Sequence, residues 1–500
     1  VRPIDRFYAS AARQPAARAV CEGDAWASYS DLRARVDALA CALQAECAVP
    51  GARIAICARN TTAHLVALLA TYAAGHVWVP LSPRNGRDEL DAMIAATRPA
   101  LVVADVASVE RFSLPEVPVL LLDGAGATDL PARCDAFAGC RPVAHPRGDE
   151  DAQIIKFSGG STGAPKPVVQ SVRTLHAQAD GLRDFFEFAA DDVNLIVAPI
   201  THGASCFILP ILERGGCHVM LADTKPAAIF NAIARWSVTT MYAPPTLLYA
   251  LMAHDVSAPP TMSSLRHVIY SAAPMTPERI RECQQFFGPV IETAYGQVEA
   301  PQIITAMRAD ELLDARNLHS VGRASSVATV AIMRADGTAC DVHEEGEIVV
   351  RGPLVMSGYF EQPEHTATAL VDGWLHTGDV GVLDARGYLF IRARLREIIN
   401  SGGFKVFPGD VEASLARHPA VAECAAFGVP DAKWGEAVSA AVVLHPTARV
   451  SDEELIRHVK QELGSVKAPK RLWRVAQLER NAAGKVSRSA VRAAILRDRG

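Results

Sequence analysis

The chain has 500 residues, half of them hydrophobic and 21% charged, the profile of a folded soluble enzyme. That length exceeds what one hydrophobic core organises and implies at least two domains. A formal net charge of −5 leaves no basic footprint for a nucleic-acid partner.

Residues 1–5 carry no apolar signal core. Residues 53–57, 76–80 and 100–103 read as strands, with a helix over 61–74. This β-α-β rhythm predicts parallel sheet with helices on both faces. The longest apolar stretch, 65–74, breaks at Gly75-His76. It is too short to span a membrane and reads as a buried helix. Eleven cysteines are scattered along the chain, none as Cys-x-x-Cys and none at zinc-site spacing with histidine. They read as reduced, mostly buried thiols of a cytoplasmic protein. The Pro- and Gly-containing stretch 141–148 reads as a linker.

The apolar run 153–157 then predicts a buried strand, followed by Ser158-Gly159-Gly160-Ser161-Thr162-Gly163-Ala164-Pro165-Lys166. Glycines let backbone N–H groups turn toward one point, and clustered hydroxyls add donors. Lys166 adds a cation, so the loop suits a polyphosphate. Pro165 directly before Lys166 excludes the common Gly-Lys-Ser/Thr nucleotide cradle. The glycine spacing excludes the dinucleotide fingerprint.

Further segments follow in order: Ile200-Thr201-His202-Gly203-Ala204-Ser205, Ser271-Ala272-Ala273-Pro274, Tyr295-Gly296-Gln297-Val298-Glu299, and Gly373-Trp374-Leu375-His376-Thr377-Gly378-Asp379. Next comes Arg394-Leu395-Arg396-Glu397-Ile398-Ile399-Asn400-Ser401-Gly402-Gly403-Phe404-Lys405. Beyond it, a helix over 408–417, a strand over 437–444, a capping box at 451–454 opening a helix to 463, and a strand over 471–475 make a small α+β domain. The last segment is Asn481-Ala482-Ala483-Gly484-Lys485-Val486-Ser487-Arg488. Alone, Glu299 or Lys485 would be a solvated surface charge, and Asp379 a turn residue.

In this order the segments resemble the adenylate-forming superfamily over nearly the whole chain. That superfamily comprises the acyl- and aryl-CoA synthetases, the adenylation domains of nonribosomal peptide synthetases, and the luciferases. The resemblance implies a large α/β N-terminal domain of layered β-α-β sheets over 1–394. A small mobile α+β lid over 395–500 would carry the hinge and the Gly484-Lys485 pair. It implies ATP and Mg²⁺ as cofactors and coenzyme A as acyl acceptor. Ser158 to Gly163 and Lys166 would hold the phosphates. Ala272, Ala273 and Pro274 would lie along adenine, and Tyr295, Gly296, Gln297 and Val298 would complete that wall. Glu299 would hold magnesium, a hard cation needing oxygen ligands. Val298 stands where the family usually has threonine, which removes one phosphate contact.

Asp379 would accept from the ribose hydroxyls, and Arg394 would reach ribose or phosphate. Arg396 would be the pivot, where aspartate or lysine is usual. Gly402 and Gly403 would line the thiol tunnel, and Lys485 would neutralise charge at the α-phosphate. His202, Gly203, Ala204, Ala273 and Gly296 would form the acid pocket. His202 reads equally as a gate of the carboxylate or as a packing histidine. Gly203 stands where amino-acid-activating relatives place an aspartate, which disfavours an α-amino acid. The small residues leave room for an aryl or medium-chain acyl group. The expected activity is an acid–CoA ligase. A stand-alone enzyme loading a carrier protein's phosphopantetheine arm, or a non-catalytic acyl-adenylate binder, are the alternatives. The expected partners are a small carboxylic acid, CoA or a carrier protein, and optionally a second copy in a homodimer.

Overall fold

The computed structural model describes residues 1–113, 117–126, 129–158, 165–254, 262–480 and 486–497. The chain divides into two compact units, Val1–Val330 with Val350–Leu375, and Ala331–Val349 with His376–Gly500.

The first unit is built on two sheets. The seven-stranded sheet runs in the order Gly358–Tyr359, Lys166–Ser171, Ala152–Ser158, Val77–Leu81, Arg53–Cys57, Leu101–Ala104, Val119–Leu121. Its last five strands are parallel, and the hairpin of Ala152–Ser158 with Lys166–Ser171 is antiparallel. The nine-stranded sheet has a parallel centre, with Ile291–Tyr295, His267–Tyr270, Thr240–Ala243, Val193–Ile196, Cys217–Met220 and Arg18–Glu22 side by side.

Alternation along the strands explains the layering. Ile54 and Ile56 join one core with Ile196, Ile269 and Ala294 of the other sheet and with Leu65, Leu68 and Leu69. Ala55 and Cys57 face the opposite way, against Leu90, Met93 and Ile94. The predicted helix forms over Thr62–Ala73, and the Thr61 hydroxyl accepts from the His64 N–H at 3.2 Å, an N-cap. The predicted strands form within a residue or so of their expected ends. Residues 141–148 carry neither helix nor strand. All eleven cysteines are free. The expectation that most are buried is corrected: five are, because five of the others lie on helix flanks or loops and Cys424 lies on a partly exposed position of the strand Val421–Asp431.

In the second unit, Gly435–Leu444 and Val421–Asp431 form a long antiparallel pair, extended by Ile399–Ser401, Phe404–Val406 and Arg471–Arg474. The helices Pro408–Ala416 and Asp452–Lys467 cover one face, and Arg488–Arg497 the other. Ser451 caps the middle helix by accepting from the Glu454 N–H at 3.2 Å. Gly464, at φ +83°, breaks it where the sequence predicts the end. The strand Leu389–Arg394 pairs antiparallel with Trp374–Leu383 and sets Arg394 opposite Asp379. Among the described residues no helix is long and apolar enough to cross a membrane.

Candidate active site

The hairpin register pairs Ser158 with Lys166, so these two residues close the neck of the candidate phosphate loop. Gly159, Gly160, Ser161, Thr162 and Gly163 lie outside the described residues. Lys166 Nζ stands 5.2 Å from the ring centre of Tyr359, a cation–π contact. Tyr359 is fixed there because Gly358–Tyr359 adds a short strand beside Lys166–Ser171. Its hydroxyl donates to Glu299 Oε1 at 3.0 Å. Burial, then the Glu299 charge, pushes the phenol well above its ordinary range, so it donates as a neutral group.

The backbone beside Glu299 is held as firmly. The Val298 carbonyl accepts from Gln170 Nε2 at 2.8 Å, and the Glu299 carbonyl accepts from the Met356 N–H at 2.8 Å. Tyr295 ends its strand, and its carbonyl accepts from the Ile304 N–H. Gln297 N–H donates to Ala300. A Cβ on Gly296 would collide with the Gln302 backbone, so this turn admits only glycine. Ala272 adopts φ +71°, a left-handed backbone that costs a non-glycine residue about 1 kcal/mol. Such strain at the segment matched to adenine is an observed outlier in a candidate nucleotide wall.

His202 caps the one-turn helix Gly203–Phe207. Its Nδ1 shares a hydrogen bond with Thr201 Oγ1 at 2.9 Å. Burial, then the charges of Lys156 and Arg84, lowers its pKa to about 4, so the imidazole is neutral near pH 7. Gly203 lies against Tyr242: a Cβ there would be 2.5 Å from the Tyr242 hydroxyl oxygen. Tyr242 is buried and stacks on Phe207 at 5.2 Å, and the Ser271 and Gln302 side chains lie beside its hydroxyl. His202, Gly203, Ser271 and the turn after Tyr295 are thus drawn to one tyrosine. Ala204 is buried, and the neighbouring Ala273 and Pro274 continue the chain beyond Ser271.

In the second unit Arg394 Nε meets Asp379 Oδ1 at 2.6 Å, and the Asp379 carboxylate is nearly fully buried. The Asp379 N–H donates to Thr377 Oγ1. Asp379 therefore sits within a strand, not in a turn. Arg396 lies in a single 3₁₀ turn, Leu395–Glu397. Gly402 and Gly403 have φ of +58° and +84° and join Ser401 to its cross-strand partner Phe404. Two positive φ values in a two-residue hairpin demand glycine-like residues. A Cβ on Gly403 would meet nothing within 4 Å, so that face of the turn is open. Lys485 lies outside the described residues. Arg488, three positions on, holds Glu397 at 2.5 Å and Glu412 at 2.6 Å.

The sequence profile of the AMP-binding enzyme family matches residues 7–360, and that of the AMP-binding enzyme C-terminal domain matches 410–485. The chain belongs to the AMP-binding enzyme family. It is an adenylate-forming ligase of the ANL fold. The enzyme is 33% identical to a feruloyl-CoA synthase of Amycolatopsis sp over 96% of both chains. It is 36% identical to a medium/long-chain-fatty-acid–CoA ligase of Mycobacterium tuberculosis over 73% of this chain and 65% of that one. The amide bond synthetase McbA of Marinactinospora thermotolerans has the same fold, with a TM-score of 0.88, 30% identity and 99% of both chains covered. ATP-bound MatB of Rhodopseudomonas palustris matches with a TM-score of 0.88 at 28% identity, over 99% of both chains.

Sequence reading does not single out Tyr242, Tyr359 or Lys156 for the candidate site. Tyr359 meets Glu299 across sixty positions of sequence, and no local pattern announces such a pair. Lys156 carried one usable signal: it alternates with Ile154 and so shares the core face of its strand.

Proposed function

We propose that this enzyme is an acid–CoA ligase acting on an aryl or medium-chain carboxylic acid. The observation that carries the reading is the convergence of Lys166 and Glu299 on Tyr359. It gathers a cation and a carboxylate at the neck of a glycine- and hydroxyl-rich loop. Among the described residues Glu299 is the candidate ligand for magnesium. Among the described residues no group of three or more His, Cys, Asp or Glu could hold a metal. One carboxylate fits this ion, which normally takes its remaining ligands from substrate phosphates and water. When bound, magnesium would neutralise phosphate charge.

The carboxylate oxygen of the acid attacks the α-phosphorus of ATP. The bond from that phosphorus to the bridging oxygen breaks, and pyrophosphate leaves. Lys166 and the loop donors hold the phosphates, and Lys485 offsets charge at the α-phosphate. A thiolate then attacks the acyl carbon, and AMP leaves with the carboxylate-derived oxygen. The thiol proton passes to solvent. In this reading 395–500 form a lid that turns at Arg396, and Gly402 and Gly403 border the thiol path. His202, neutral, borders the carboxylate, and Gly203, Ala204, Ala273 and Gly296 shape the acid pocket. Asp379 and Arg394 meet the ribose side of the nucleotide.

A second reading has one specific support, the likeness to an amide bond synthetase. There the acceptor would be an amine. The test is pyrophosphate release with ATP and magnesium over aromatic and C4–C12 acids, with CoA, with amines, or with neither. Sustained turnover only with CoA supports the ligase. Sustained turnover only with an amine supports the second reading. A stall after about one turnover in both cases points to a carrier protein.

A further inference from the structure

The strand that leads into the phosphate loop carries an oddly placed charge. Lys156 is 8% exposed. Its Nζ donates to the His202 carbonyl at 2.9 Å and to Ser205 Oγ at 3.1 Å. It also lies 5.7 Å from the Trp78 ring centre. An ammonium has three protons to donate, and only two find oxygen partners among the described residues. Among the described residues no carboxylate pairs with it, and the nearby Cys206 thiol is held protonated by burial. Burying a lysine without a carboxylate is costly, and burial pushes its pKa down.

The two acceptors do not need this ammonium. Ser205 Oγ already donates to the His202 carbonyl at 2.8 Å. Remove the lysine head and both oxygens still have a partner. The space beside it is a cavity of about 10 Å³ bounded by Tyr72, Gln170, Gln178, Ser205 and Cys206. That is room for roughly one water-sized group, so an unbranched apolar side chain of similar reach would pack there. A packing role alone would be served better by methionine. A charge that costs stability and satisfies nothing essential points to function.

We propose that Lys156 is a specificity-determining positioning residue whose buried positive charge, delivered at the His202 turn, favours a carboxylate in the acid pocket over a neutral group of the same shape. This rests on the ligase reading, in which that turn borders the acid. The ammonium acts from behind the turn, through the His202 backbone and through space. Field lines spread little through a buried, poorly polarisable layer, so the charge is felt at the pocket. Added to the effect of burial, it helps hold His202 neutral, which prevents a second cation from competing for its place.

The test compares wild type with Lys156→Met and Lys156→Arg in the full-length enzyme. The readouts are KM for the acid, KM for ATP, melting temperature, and calorimetric affinity for the acid against its primary amide. Lys156→Met is expected to raise the acid KM about tenfold, the scale for unit charges roughly 10 Å apart in a protein-like dielectric. The KM for ATP and the amide affinity should stay within about twofold, and the melting temperature should hold or rise, as when buried ionic groups give way to apolar ones. Lys156→Arg should restore the preference for acid over amide. Equal loss for acid, amide and ATP together with a lower melting temperature would overturn the proposal in favour of a plain structural role. An unchanged acid KM in Lys156→Met would overturn it too. Should wild type release no pyrophosphate with any acid, the ligase reading itself fails, and this inference falls with it.

Discussion

Replacing Gly203 by alanine should cost both stability and breadth of substrate. The backbone is no obstacle, since Gly203 is not in the left-handed region. Space is the obstacle. The new methyl carbon would stand 2.5 Å from the Tyr242 oxygen, 2.7 Å from ring carbon Cζ and 2.9 Å from Cε1. Real contacts of this kind begin near 3.5 Å, so the ring or the turn must shift by about 1 Å. The ring has little freedom. It is 7% exposed and stacks on Phe207, with Ser271 and Gln302 beside its hydroxyl. Overpacking of one methyl in such a place costs about 2 kcal/mol. At roughly 2–4 °C per kcal/mol in domains of a few hundred residues, the melting temperature should fall several degrees. Calorimetry checks this, and pyrophosphate release over a graded acid series checks the pocket, where the bulkiest acids should lose most. Tyr242→Phe removes the nearest contact but leaves Cζ. The double variant should therefore recover only part of the loss, a coupling of about 1 kcal/mol. A melting temperature and an acid profile both unchanged in Gly203→Ala would refute the close approach on which this rests.

Tyr359→Phe removes the donor to Glu299 and should cost about 1.5 kcal/mol at that charged acceptor, or roughly tenfold in the magnesium concentration for half-maximal activity. A magnesium titration identical to wild type would show that the hydroxyl does not orient Glu299. His64, His76, His202 and His218 are each pushed down to about 4 by burial. In the unfolded chain they titrate near 6.5. Between these values the unfolded state holds more protons, so stability is full above pH 6.5 and declines as pH falls toward 4, with up to about four protons taken up on unfolding. Urea midpoints at pH 7.5, 6 and 5 measure it, and a flat series would contradict the buried neutral state. Lys485→Ala should cripple acyl-adenylate formation yet spare thioester formation from supplied acyl-AMP. Equal loss of both half-reactions would end that division of labour.

Local chemistry made much of the architecture legible. The strand Ala152–Ser158 announces itself because apolar side chains must line both faces of a central strand. The helix Thr62–Ala73 is bounded by a threonine cap and by Gly75 at φ +78°. The candidate site was legible where motif residues act through backbone or loop composition, as at Gly402 and Gly403. It was not legible where function hangs on a partner set by topology. Glu299 is one residue of a short string, but Tyr359 reaches it only because the chain returns to add an edge strand beside Lys166–Ser171. Tyr242 likewise faces Gly203 because its strand, Thr240–Ala243, runs parallel beside Val193–Ile196, from which the chain continues to Gly203. Sequence spacing holds no record of such neighbours.

The clasp at Arg488 has a mechanical meaning. Glu397 and Arg488 are 91 positions apart along the chain, yet their side chains touch. The polypeptide between them is therefore a ring, closed by peptide bonds on one side and by an ion pair on the other. In the sequence Arg488 follows the Gly484-Lys485 pair by three positions, and Glu397 directly follows Arg396, the proposed pivot. If Arg396 is the pivot, as proposed, a twist there would reach Arg488 through the ion pair without travelling round the ring. Cutting the polypeptide within 445–450 would leave that short path intact, whereas Arg488→Ala would leave every peptide bond in place and sever it. On that reading transmission and connectivity are separable between Glu397 and Arg488, and a nicked enzyme would keep time better than an intact one with its clasp undone.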